Sequence, residues 1–260
     1  MSLVHKLSGK NQLKTIIFLF PIVAFLLFFS VKIVSKSTYG LIVQEDSVVE
    51  YVQAAAYFVS SIFSFLISIR FLRRRKVVSG VLYLILFFGF VFICLEEISW
   101  AQRIFNIAPP TYFEKHNYQE EISVHNLPIL QDYVHGTYIL VGLFGTCAWM
   151  LIPRRLRAKG DCTIKFFVPD WFLSSYFFFV LIIYTYFELI RSFDISVLGM
   201  DCLQIGVFFV WRDQEPAELL LSLGFLLFVM INSVRQARDA QHSVAPVRLL
   251  LPFICRNSRH

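Results

Sequence analysis

Residues 77–97 read VVSGVLYLILFFGFVFICLEE: nineteen positions without a charged group, closed by Glu96 and Glu97. A helix rises about 1.5 Å per residue, so such a run covers about 30 Å, the thickness of a bilayer's hydrocarbon core. Five further stretches have the same character, at 15–34, 51–69, 133–152, 167–187 and 216–234. The whole chain agrees with them. Of its 260 residues 57% are hydrophobic and only 16% charged, where soluble domains run near 45–50% and about 25%. That excludes an ordinary soluble enzyme and a disordered chain, and five cysteines in 260 residues are too few for a disulfide scaffold. The expected fold is an all-α integral membrane domain over 1–260, a bundle of six transmembrane helices.

The first stretch has a rival reading as a signal peptide, since Lys6, Lys10 and Lys14 precede its apolar core; no small-x-small site follows Ser30, which favours an uncleaved span. The second is punctuated by Gln53, Ser60, Ser61, Ser64 and Ser68, so it is expected to face other helices rather than lipid. Residues 195–211 form a seventh apolar run, but Asp201 and Gln204 interrupt it, and it reads as interfacial or re-entrant.

With six spans, the N-terminal segment, the 70–76 and 154–165 links and the 235–260 tail share one side, and they hold 18 of the 24 Lys and Arg residues. Basic residues stay on the cytoplasmic face. Both termini and the basic tail are therefore expected in the cytoplasm, and the bacterial inner membrane is the expected location. The net charge of +6 thus reports sidedness and not nucleic-acid binding, and no nucleic-acid partner is expected.

Acidic residues show the opposite bias, with 15 of 18 on the outer side. The basic-inside rule does not demand this. Glu45, Asp46 and Glu50 precede or open span two, Glu96 and Glu97 close span three, Glu188 closes span five, and Glu215 and Glu218 open span six. Negative charge is favoured in a helix's first turn and disfavoured in its last. Glu50, Glu215 and Glu218 are accounted for by that rule; Glu96, Glu97 and Glu188 are not, and need partners such as Arg103, Arg191 or a cation.

The 96–132 loop between spans three and four is the densest in polar groups, beginning EEISWAQRIFNIAPPTYFEKHNYQEEISVHNLP. Continued as a helix, Glu96, Trp100 and Arg103 share one face. Pro109 and Pro110 break it, and a short interfacial helix is expected over 117–126, ended by Pro128. On that helix Glu121 and His125 stand four apart and point the same way, as a shared metal ion or an acid/base pair requires.

The stretches EEISWAQRIF (96–105), NYQEEISVHN (117–126) and EDSVVEY (45–51) resemble the signatures of a bacterial multi-pass membrane protein family with no assigned activity. Ala101 and Ser47 stand where that family's pattern has glycine. The resemblance implies marked positions at Glu45, Asp46, Glu50, Glu96, Glu97, Ser99, Trp100, Gln102, Asn117, Gln119, Glu121, His125 and Asn126. It supplies no function.

Carboxylates gathered at a low-dielectric boundary require compensation, by a divalent cation or by protons. The first outcome gives a metal site of Glu97, Glu121 and His125 with Glu188 or Glu218, and an enzyme acting on a lipid or envelope component. There Glu97 or Glu121 is the expected base and His125 a ligand or acid, and a lipid-linked substrate would arrive sideways from the bilayer. The second outcome suits an ion- or proton-coupled transporter, although no span carries a charge at its middle. A non-catalytic assembly or sensing subunit is the third reading. The outer-side Cys94 and Cys202 leave a disulfide open.

Overall fold

The computed structural model describes residues 2–44, 47–102, 105, 107–117, 122–123, 127–152, 163–190 and 211–254. Helices account for nearly all of them, and no strand occurs among the described residues. The eight α-helices among the described residues are α1 (Ser2–Val34), α2 (Lys36–Val43), α3 (Val48–Arg73), α4 (Val77–Glu97), α5 (Thr111–His116), α6 (Pro128–Leu151), α7 (Ser174–Thr185) and α8 (Glu215–Ile254). Among the described residues six helices are long and apolar enough to cross a membrane, so the chain is a multi-pass membrane protein. The expected spans fall within α1, α3, α4, α6, the segment centred on α7, and α8.

Between apolar helices in lipid there is no hydrophobic drive, so packing depends on small residues and internal hydrogen bonds. Helix α3 supplies both. Ser60, Ser61, Ser64 and Ser68 are all buried, as is Gln53, and α3 packs along both α4 and α8. Ser68 donates to the Gly80 carbonyl at 2.7 Å, closing the α3–α4 hairpin. Helix α7 lies against α6 and α8, while Phe90, Phe177 and Phe225 bring α4, α7 and α8 into one aromatic core with centroids 5.2 and 5.4 Å apart. Helix α1 sits at the edge with Leu13, Ile16, Leu26 and Leu27 exposed, as a lipid-facing helix must.

The two ends of the bundle differ. At the basic end, Asn232 donates to the Tyr83 hydroxyl and the Phe166 carbonyl at 2.9 and 3.0 Å, Arg235 pairs with Asp170, and Arg70 donates to Ser233 at 3.0 Å. These bonds tie α3, α4, the 163–170 segment and α8 together. At the other end Lys32 and Asp213, both buried, pair at 2.5 Å, and Tyr39 donates to the same carboxylate at 2.7 Å. That triad fastens α1 and α2 to the start of α8.

Three local expectations need correction. Helix α4 stops at Glu97, because Ser99, Trp100 and Ala101 all take left-handed backbone, with φ of 48°, 53° and 61°; Trp100 therefore does not continue the helical face of Glu96. The short helix after the proline pair is Thr111–His116 rather than 117–126: Asn117 is its extended cap, and Ile122 and Ser123 are not helical. Pro128 opens α6 instead of ending that helix, a favoured position because the first turn has no use for the missing N–H. Helix α6 thus extends five residues before the fourth span, whose apolar stretch runs Tyr133–Leu151 as expected, and helix α8 continues beyond the sixth span through the basic tail as far as Ile254. Residues 195–210 of the seventh apolar run, Cys202 among them, lie outside the described residues.

Candidate functional site

The antiparallel course of the helices brings the starts of α3, α6 and α8 and the ends of α4 and α7 to one end of the bundle, and that end carries the acidic groups. Glu97, the last residue of α4, lies within electrostatic range of Glu218, Glu215, Glu50 and Glu96. Glu218 accepts from the Tyr184 hydroxyl of α7, and from Tyr138 of α6 at 3.4 Å. The rings of Tyr138 and Tyr184 stack with centroids 4.4 Å apart. Glu215 accepts from Gln53 Nε2 at 3.2 Å. These side chains form one network of carboxylates and tyrosines contributed by five helices, α3, α4, α6, α7 and α8.

Glu188 stands beside it in a different arrangement. The last turn after α7, Tyr186–Ile190, widens to a π-helical turn, a distortion that re-aims side chains and recurs at functional sites. Its Glu188 carboxylate pairs with Nδ1 of the buried His135. The imidazole edge meets the Tyr184 ring at 5.2 Å. Among the described residues Glu188's partner is therefore His135; Arg103 and Arg191, which its place at a helix end suggested, lie outside them.

Between α4 and α6 lies a cavity of about 480 Å³. The two helices scarcely touch, each leaning on its other neighbour. The walls are Ile85, Gly89, Phe92 and Ile93 from α4 and Leu130, Val134 and Val141 from α6, the floor is Tyr57, Leu221 and Phe225, and Glu96, Glu97, Tyr133 and Tyr138 also face it. Ile85, Phe88 and Phe92 are exposed on the α4 surface beside the opening. It is a greasy cleft with its charged groups gathered at one end.

The loop residues singled out by sequence hold backbone or one another. Trp100 Nε1 donates to Glu96 at 2.6 Å, so Glu96 is partnered by an indole that the left-handed turn folds back onto it. Gln102 accepts from the Ile122 amide at 2.6 Å, and Asn117 donates to the Ser123 carbonyl at 2.8 Å; Ser99 is buried in the left-handed turn. Glu45, Asp46, Gln119, Glu121, His125 and Asn126 lie outside the described residues. Among the described residues no three His, Cys, Asp or Glu side chains are grouped so as to hold a metal ion.

Sequence reasoning missed Tyr57, Tyr138, Tyr184 and His135 as neighbours of the carboxylates. The available signal was Glu188 and Glu97 at helix C-termini, which announced that partners existed without naming them. Comparison with protein-family models, curated proteins and solved structures gives no match to this chain.

Proposed function

We propose that this protein acts on an amphiphilic lipid, or a lipid-linked envelope component, that enters sideways from the bilayer between α4 and α6. The observation that carries this reading is the cleft itself: apolar walls wide enough for an acyl chain, and Glu97 with Tyr138 where a headgroup would lie. In such a complex Glu97 serves as the base that takes a proton from water or a headgroup hydroxyl. Tyr138 and Tyr184 hold Glu218 in place behind it. The acidic end is the outer face of a bacterial inner membrane, with both termini in the cytoplasm, as the basic segments argue. A divalent metal at this end would need Glu121 and His125 in addition to Glu97 or Glu218.

The experiment is a lipid profile by mass spectrometry of membranes holding the wild-type chain or Glu97→Gln at equal abundance. A lipid species altered by the wild type and untouched by the variant supports the reading. Identical profiles from both and from membranes lacking the chain contradict it.

A second reading, proton- or ion-coupled transport, is favoured by the Tyr138–Glu218–Tyr184 hydrogen bonds and the adjacent His135–Glu188 pair. Proton flux in liposomes that is lost in Glu218→Gln would select it over chemistry on a lipid.

A further inference from the structure

The groups at the acidic end of the cleft discriminate between headgroups, and on the reading that the cleft takes a lipid they name its class. The charged wall residues are Glu96 and Glu97, with Glu50, Glu215 and Glu218 within electrostatic range of Glu97. No lysine or arginine lines the cavity among the described residues; the nearby Arg212 acts on Glu215. A phosphate drawn into this end would meet carboxylates of its own sign, and like-charge contact costs several kcal/mol. A cation meets the reverse.

Two further features favour a nitrogen cation. Tyr57, Tyr133 and Tyr138 face the cavity alongside Glu97, and aromatic faces attract ammonium groups, above all where water is excluded. Gln53 is fully buried beside the carboxylates. Its Nε2 is spent on Glu215, while its Oε1 has no hydrogen-bond partner among the described residues. A buried amide oxygen is costly to leave unsatisfied; Gln53 stands behind the cleft lining and not on it, so its oxygen adds to the negative character of the acidic network and not to the ammonium seat itself.

We propose that the cleft between α4 and α6 binds amphiphiles with a cationic amine headgroup, the ammonium seated between the Glu97 carboxylate and the Tyr57 and Tyr138 rings with the alkyl chain along Gly89, Ile93 and Val141. Gly89 provides the means to test seat and chain separately, since it lines the cleft and a Cβ added there meets nothing within 4 Å, so a larger side chain starts into open space.

The test is equilibrium binding of hexadecylamine, hexadecyl phosphate and hexadecyl glucoside to the purified full chain, by displacement of a fluorescent alkyl probe. Hexadecylamine should bind at least about ten-fold tighter than hexadecyl phosphate, and the preference should collapse in Glu97→Gln; should that variant not fold, Glu218→Gln serves. All three should weaken together in Gly89→Trp. Equal affinities, or a preference for phosphate, in a wild type that Gly89→Trp still blocks would overturn the headgroup assignment and leave the cleft standing. Binding indifferent to Gly89→Trp would overturn both.

Discussion

His135 and Glu188, 53 positions apart in sequence, form a hydrogen-bonded pair that joins the early part of α6 to the π-helical turn after α7. A carboxylate at a helix C-terminus faces the negative end of the macrodipole, and the imidazole offsets that. Removing it leaves Glu188 without its partner while the Tyr184 ring loses its edge contact. His135→Ala should lower stability by about 1.5–3 kcal/mol, the range for hydrogen bonds to charged groups, and Glu188→Gln by less, because an amide still accepts from Nδ1. Thermal unfolding of the detergent-solubilised variants checks the order; equal losses would show that charge rather than hydrogen bonding dominates.

The buried Lys32–Asp213 pair predicts strong non-additivity. Either single change, Lys32→Met or Asp213→Asn, strands a buried group and should cost about 3–5 kcal/mol. The double variant should recover much of that, since a matched removal leaves no unpaired charge. A double-mutant cycle on unfolding midpoints measures it, and simple addition of the two losses would contradict the pairing.

Gly142 marks a close backbone approach of α6 to α7, where an added Cβ would sit 2.8 Å from the Leu181 backbone nitrogen. Backbone cannot swing aside as a side chain can, so Gly142→Ala should cost about 1–3 kcal/mol from overpacking. Gly136 on the same helix has open space around it, and Gly136→Ala should be neutral or slightly stabilising. Unfolding in matched detergent compares them; equal behaviour would refute the close contact.

Ala101 holds φ of 61° in the turn that ends α4, a conformation costing a non-glycine residue about 1–2 kcal/mol. Ala101→Gly should therefore stabilise the chain by up to about 1 kcal/mol after glycine's greater loss of chain entropy is subtracted. A lowered unfolding midpoint would count against the left-handed turn.

The spans were legible because a bilayer needs about 20 apolar residues in a row, and runs such as 77–95 carry that signal without help from distant sequence. The buried serines of α3 were legible for the same reason: polar groups in a span must face protein. The gathering of Glu50, Glu97, Glu215 and Glu218 at one end follows from span count alone, since alternate helix ends share a face. What sequence could not give was lateral order. That Tyr138 and Tyr184 stack and reach Glu218, and that α4 and α6 stand apart around a cleft, depend on which helices are neighbours. The turn at 99–101 was hidden because Ser, Trp and Ala carry no marker of left-handed backbone; a glycine there would have flagged it.

The account stands on an amphiphile occupying the α4–α6 cleft. Its most direct measurement is mass spectrometry of lipid retained by the protein through purification, wild type against Gly89→Trp from the same membranes. A defined lipid should be held by the wild type and absent from the variant, whose bulkier side chain occupies the same space. The same lipid in the same amount on both proteins would contradict it.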